Sequence, residues 1–134
     1  MLYVKKRILC VDDSEDDCVL FSLILTEEGY EVESAQSFTD AAQLIETSVF
    51  DLCSFDISLQ DGTGFELLEK VRAIAPSMPI IICSGDARGS TQEQVMAAGA
   101  QAFFTKPIDY DLLVKTIAQL VSPVALSNAN LIKS

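Results

Sequence analysis

The chemistry-bearing side chains of this 134-residue chain stand where short apolar runs stop. Asp12 and Asp13 follow "ILCV", Asp56 ends "FDLCSFD", Ser84 follows "IIIC", and Lys106 follows "FFT". If those runs lie side by side in a parallel sheet, three carboxylates, a hydroxyl and an ammonium converge on one edge. Asp12, Asp13 and Asp56 carry three negative charges and Lys106 returns one positive charge, so one divalent cation would complete neutrality. Without a cation, mutual repulsion should raise at least one carboxylate pKa. Hard oxygen donors that leave room for water suit magnesium, with manganese as a substitute, better than zinc. Such a site can hold a phosphoryl group between metal, ammonium and hydroxyl, and Asp56 could attack it as a carboxylate nucleophile to give a mixed anhydride.

The elements needed for that convergence are legible in the same sequence. Apolar runs at 7 to 11, 31 to 34, 50 to 55, 79 to 83 and 101 to 105 predict strands, most with too little polar alternation to face water on one side. Between them, patterns near 14 to 28, 37 to 47, 64 to 74, 90 to 98 and 109 to 121 predict helices. Ser14 with Asp17, Ser37 with Asp40, and Ser90 with Glu93 have the spacing of capping boxes, and Asp109 can cap the last helix before Pro123 closes it. Gly29, Gly62 and Gly99 fall near element ends, where a positive φ is often needed. Strict alternation of strand and helix implies an α/β domain with a doubly wound parallel sheet over residues 1 to 121. Residues 122 to 134, "SPVALSNANLIKS" with its Ser-Pro start, read as a C-terminal tail or the stub of a linker.

Composition removes several function classes. No apolar run approaches the roughly 18 residues that a membrane span needs, and the N-terminal run is followed by acids instead of a cleavage site, so the expected location is the cytoplasm. A net charge of −11 argues against direct nucleic-acid binding. Cys10, Cys18, Cys53 and Cys83 form no CxxC pair, and with no histidine in the chain they read as buried, inert thiols. The missing histidine also means that the chain cannot itself carry a donor phosphohistidine, and no GxxxxGK[ST] loop is present for a nucleotide phosphate.

From about Lys5 to Val121 the chain resembles the receiver domain of two-component response regulators. "ILCVDDSE" matches the strand with its paired acids, "FDLCSFDISLQDGTGFELL" the phosphoacceptor segment, "IIICSG" the strand ending in Ser or Thr, and "GAQAFFTKPI" the strand ending in Lys-Pro. The resemblance implies a flavodoxin-like sheet of five parallel strands in order 2-1-3-4-5 with five helices. It makes Asp56 the phosphoacceptor, Asp13 a direct magnesium ligand, Asp12 a nearby acid acting through water, and the Ser58 backbone carbonyl a further ligand. Ser84 would contact the phosphoryl group, Lys106 would pair with it, and Phe103 would change packing on activation. Ser58 and Asp86, each two residues beyond a key side chain, would tune access of water to the acyl phosphate. A histidine kinase or histidine phosphotransfer domain would be the donor, a downstream protein the recipient of the signal, and the state a monomer or a phosphorylation-dependent dimer. The domain would be regulatory, catalysing only its own phosphorylation and hydrolysis. Gln60 stands where many members have Pro, and Phe103 lacks the hydroxyl of the commoner Tyr.

Simpler roles compete at several positions. Glu15, Asp16 and Asp17 read as solvated acids meeting the positive end of a helix dipole. Val19, Leu20, Phe21, Leu23, Ile24 and Leu25 cover more of the first helix than one buried stripe requires, which suits either a partner dock or tolerated surface apolarity. Tyr110, Val114, Ile117 and Val121 suit either core packing or a signalling face. "QDGTG" resembles part of the DxDGT motif of haloacid-dehalogenase phosphatases, but Leu59 occupies the nucleophile position. A phosphorylation-independent binding module would usually have lost an acid or the lysine, and here all are present.

Overall fold

A computed structural model of the chain describes residues 4–86 and 88–121. The elements in chain order are β1 (Arg7–Val11), α1 (Glu15–Glu27), β2 (Glu31–Ala35), α2 (Phe38–Thr47), β3 (Leu52–Asp56), β4 (Ser58–Leu59), β5 (Gly62–Thr63), α3 (Gly64–Ile74), β6 (Ile80–Ser84), α4 (Gly89–Ala97), β7 (Ala102–Thr105) and α5 (Tyr110–Val121). Five of these strands form one parallel sheet in the order β2-β1-β3-β6-β7, which is the expected 2-1-3-4-5 once the short β4–β5 hairpin is set aside. The expected tail and Pro123 lie outside the described residues.

Side chains alternate between the two faces of the sheet because successive strand residues point oppositely. One face receives α1 and α5, with Ile8, Cys10, Leu52 and Ile81 packed against Phe21, Leu25, Leu113 and Ile117. The other receives α2, α3 and α4, with Leu9, Val11, Phe55, Ile80 and Ile82 packed against Ala41, Leu67, Leu68, Val71 and Val95. Both β3 and β6 are buried along their whole length, which explains why neither alternates in polarity.

The helix starts divide into those the capping pattern anticipated and one it did not. The amides of Asp17 and Asp40 donate to Ser14 and Ser37 Oγ at 3.2 and 3.1 Å, and the Leu112 amide donates to Asp109 at 3.1 Å. Ser90 caps nothing: α4 already begins at Gly89, with Arg88 at the cap position and no side-chain capping bond. The loop before it is fixed instead by Asp86, whose carboxylate accepts from the Arg88 amide and guanidinium and from Thr91 Oγ at 2.8–3.0 Å. Gly29 and Gly99 have the positive φ expected of helix-terminating glycines, 95° and 109°. Gly62 does not; a Cβ there would meet the Phe38 ring at 2.8 Å, so close packing is what requires glycine.

Candidate phosphoacceptor site

Each polar residue of interest is delivered by the end of a strand. The Asp12 amide extends the β1–β2 ladder by donating to Ala35 O at 3.1 Å, and the Ile57 amide extends β3–β6 by donating to Cys83 O at 2.9 Å. The Lys106 amide donates to Ser84 O at 2.8 Å, carrying the β6–β7 ladder one residue past its last paired strand residues. These bonds leave Asp12, Asp56, Ser84 and Lys106 side by side along one edge, with Asp13 beside them.

The carboxylate oxygens of Asp12, Asp13 and Asp56 approach one another within 4.8 Å. Asp12 and Asp56 are buried, whereas Asp13 is exposed at the rim. Asp12 Oδ1 accepts from the Ser14 amide at 3.0 Å, and Asp56 Oδ1 accepts from the Ser58 amide at 3.2 Å. Lys106 Nζ donates to Asp12 Oδ2 at 2.7 Å, to Asp17 Oδ2 at 3.0 Å and to Asp56 Oδ2 at 3.1 Å. Burial raises the Asp56 pKa and the neighbouring Asp12 charge pushes the same way; the Ser58 amide and Lys106 only partly oppose them. For Lys106, burial works against the charge, but hydrogen bonds to Asp12 and Asp17 and the field of Asp56 outweigh it and hold the ammonium well above its usual range. Asp56 is raised, as expected of at least one carboxylate, but burial is the main cause and repulsion from Asp12 the lesser one.

A hard divalent cation fits this donor set. Three carboxylates face one another with a single ammonium among them, and every donor is oxygen. Asp12, Asp13 and Asp56 are the residues that would hold it; the exposed Ser58 lies two residues on, at the start of the β4–β5 hairpin.

Ser84 is fully buried, and its Oγ accepts from the Asp86 amide at 2.9 Å. Asp86 is held well below the usual carboxylate range, chiefly by its hydrogen bonds from Arg88. Phe103 is half-buried on β7 and packs against the cluster on the α2–α3–α4 face. Beside the acids, a half-enclosed cavity of about 460 Å³ runs between α1 and the start of α5, lined by Asp17, Leu20, Lys106 and Tyr110 among others.

Several sequence expectations need correction. Asp17 is not merely a solvated capping acid, because its carboxylate reaches Lys106. The signal was present: helical side chains lean toward the N-terminus, so an acid in the third helical position points back to the strand edge. On α5, Leu113 and Ile117 are buried and Tyr110 and Val121 pack beside them, so most of that stripe is core; the exposed Leu112 belongs to another face. The "QDGTG" segment is structural: Asp61 accepts from the Phe38 and Thr39 amides at 2.7 and 3.1 Å, fastening the hairpin to the start of α2. Thr63 then caps α3 in a reciprocal pair with Glu66 that the sequence reading did not pick out. The four thiols are free and buried as expected, and burial pushes Cys53 up to about 12 and Cys83 to about 11. No helix among the described residues is long and apolar enough to cross a membrane.

Comparison with known proteins gives one consistent family. The profile of the response regulator receiver domain matches residues 8–118. The transcriptional regulatory protein ZraR of Salmonella typhimurium is 30% identical over 131 residues, covering 98% of this chain but 30% of its own length. The alginate biosynthesis transcriptional regulatory protein AlgB of Pseudomonas aeruginosa is 36% identical over 107 residues, covering 80% of this chain and 24% of its own. The chain therefore spans under a third of these curated relatives. Among solved structures, a CheY-like receiver domain protein from Methanospirillum hungatei is 40% identical with a TM-score of 0.81, covering 87% of this chain and 94% of the other. The response regulator TrrA of Thermotoga maritima, solved in complex with Mg(2+)-BeF, is 27% identical with a TM-score of 0.79, covering 86% and 98%.

Proposed function

This chain belongs to the response regulator receiver domain family, and from that premise we propose that it is a phosphorylation switch in which Asp56 accepts a phosphoryl group from a partner's phosphohistidine. The observation that carries this reading is the convergence of Asp12, Asp13 and Asp56 within 4.8 Å, with Lys106 donating to Asp56 at 3.1 Å. The donor is a histidine kinase or a histidine phosphotransfer domain in the cytoplasm. The Asp56 carboxylate attacks phosphorus in line, the P–N bond breaks with its electron pair returning to the imidazole nitrogen, and an acyl phosphate results. Asp12, Asp13, Asp56 and the Ser58 carbonyl would hold magnesium, which would neutralise charge on the phosphoryl oxygens.

The chain's own residues supply the rest. Lys106 turns an N–H toward a phosphoryl oxygen, and the Ser84 hydroxyl donates its hydrogen there. Ser84 Oγ accepts from the Asp86 amide, so movement of that hydroxyl pulls on the loop before α4. The Phe103 ring repacks beside the loop, by packing alone since it has no hydroxyl. Asp86, pinned by Arg88, and the exposed Ser58 flank the approach by which water hydrolyses the acyl phosphate. The shifted conformation changes affinity for a downstream protein, with no direct nucleic-acid contact by this acidic domain.

Acetyl phosphate with magnesium tests the reading. Intact mass should rise by one phosphoryl group, hydroxylamine should remove it, and Asp56→Asn should show no gain. Wild type that stays unlabelled while binding magnesium, or an Asp56→Asn chain that labels equally, would overturn the assignment.

A further inference from the structure

Lys106 is shared more widely than the phosphoacceptor chemistry requires. An ammonium has three N–H donors, and here each is engaged by a different carboxylate: Asp12 at 2.7 Å, Asp17 at 3.0 Å and Asp56 at 3.1 Å. Asp12 and Asp56 stand at ends of the sheet strands, but Asp17 comes from the first turn of α1, so the bond ties that helix to the loop between β7 and α5. The geometry points to Asp17 as a positioning residue that sets how readily Lys106 reaches a phosphoryl group on Asp56 and how strongly the acidic cluster holds a divalent cation. This inference rests on the phosphoacceptor reading and adds a residue to it.

Two physical effects give Asp17 a distinctive signature. A phosphoryl oxygen entering beside Asp56 needs one of the three N–H groups. The Asp17 bond is the least costly to release, because that side chain is 46% exposed whereas those of Asp12 and Asp56 are 9% exposed. Asp17 is therefore a competitor for Lys106. Its carboxylate is also a fourth negative charge around the cluster, so even a bound divalent cation leaves the group short of neutrality. That excess attracts the cation and repels an incoming anion. Removing the charge should thus move the two affinities in opposite directions. Loss of a helix-start interaction would not separate them in that way.

The test compares wild type, Asp17→Asn, Asp17→Glu and Asp16→Asn by calorimetric titration, first with magnesium alone and then with beryllium fluoride at saturating magnesium. Asp16 is an exposed acid in the same helical turn, so it controls for general charge removal. Asp17→Asn should bind magnesium roughly two- to fivefold more weakly and beryllium fluoride roughly two- to fivefold more tightly, the scale of a partly exposed ion pair. Asp17→Glu, which keeps the charge with a longer reach, should return both toward wild type, and Asp16→Asn should move neither by more than about half of that. If Asp17→Asn matches Asp16→Asn, or shifts both affinities the same way, the role of Asp17 is overturned while the phosphoacceptor reading stands. Wild type that binds magnesium but no beryllium fluoride would overturn that reading itself.

Discussion

Asp56, the proposed nucleophile, is kept in surroundings that disfavour its charge. Burial and the Asp12 carboxylate raise its pKa, so the folded chain retains the Asp56 proton to a higher pH than the unfolded chain does. Between the unfolded and folded pKa values the native state binds more protons, and stability falls as pH rises through that window; above it the full loss persists. Asparagine has no proton to lose. Asp56→Asn should therefore melt with wild type in acid and pull ahead as pH rises, by roughly 2–5 °C at neutral pH in a chelator. Circular-dichroism melts across pH check this, and a variant less stable than wild type at neutral pH would contradict it. Added magnesium should narrow the gap by stabilising wild type preferentially, since a cation that binds only the native state raises its stability by mass action. At this scale the sequence was highly legible: Asp12, Asp13, Asp56, Ser84 and Lys106 were all marked by a polar residue directly after, or closing, an apolar run. Asp17 was missed because its role depends on a helix leaning over the sheet edge, a tertiary relation with no one-dimensional marker beyond its place in the first turn.

The elements do more than deliver side chains, and the segment from Asp56 to Gly64 is the clearest case. A Cβ on Gly64 would collide with the Asp56 carbonyl and come within 3.1 Å of Ile57 Cα, both backbone atoms held by the sheet and by the Gly64 amide bond to Ile57 O. At Gly62 the obstruction is the Phe38 side chain, from Cβ at 3.1 Å to Cδ2 at 2.8 Å, which must shift as a whole but is not backbone held by the sheet. Gly64→Ala should therefore destabilise the domain by about 2–3 kcal/mol and slow acetyl phosphate labelling of Asp56, while Gly62→Ala should cost about 1 kcal/mol and leave labelling near wild type. Urea unfolding with parallel labelling separates the two, and equal effects would show that backbone contact behind Asp56 is unimportant. The sequence placed Gly62 at an element end and assigned it a turn conformation, but could not show that α2 packs over the hairpin. Ser90 shows a different limit: its spacing to Glu93 satisfied one local rule, yet a competing set of local bonds, those of Asp86 with Arg88 and Thr91, sets where the chain enters α4. Local pattern located the elements and most helix starts; contacts between elements decided the use of a loop such as the hairpin that Asp61 fastens to α2.

Across the whole molecule, alternation of apolar runs with capped helices was enough to specify the doubly wound sheet, because two buried faces demand helices on both sides. What alternation could not specify is which apolar residues stay outside. Cys18, Phe21 and Leu25 turn inward from α1, leaving Val19 51%, Leu20 45% and Leu23 62% exposed on a surface otherwise rich in acids. Leu20 lines the cavity that reaches Lys106 and Asp56, and Val19 and Leu23 continue the apolar surface of α1 away from it, toward Ser34 and Gln36; such a surface would suit the proposed phosphohistidine donor, whose imidazole would have to come within bonding reach of Asp56. Acetyl phosphate needs no such surface. Val19→Gln combined with Leu23→Gln keeps helix-compatible, uncharged side chains and avoids Leu20, which lines the cavity. Phosphotransfer to this double variant from the cognate phosphorylated kinase should fall roughly tenfold, the scale expected for losing apolar contacts at an interface centre, while acetyl phosphate labelling stays within about twofold of wild type. Rates that fall together for both donors would place the defect in the site, and unchanged rates for both would make the exposed strip ordinary surface.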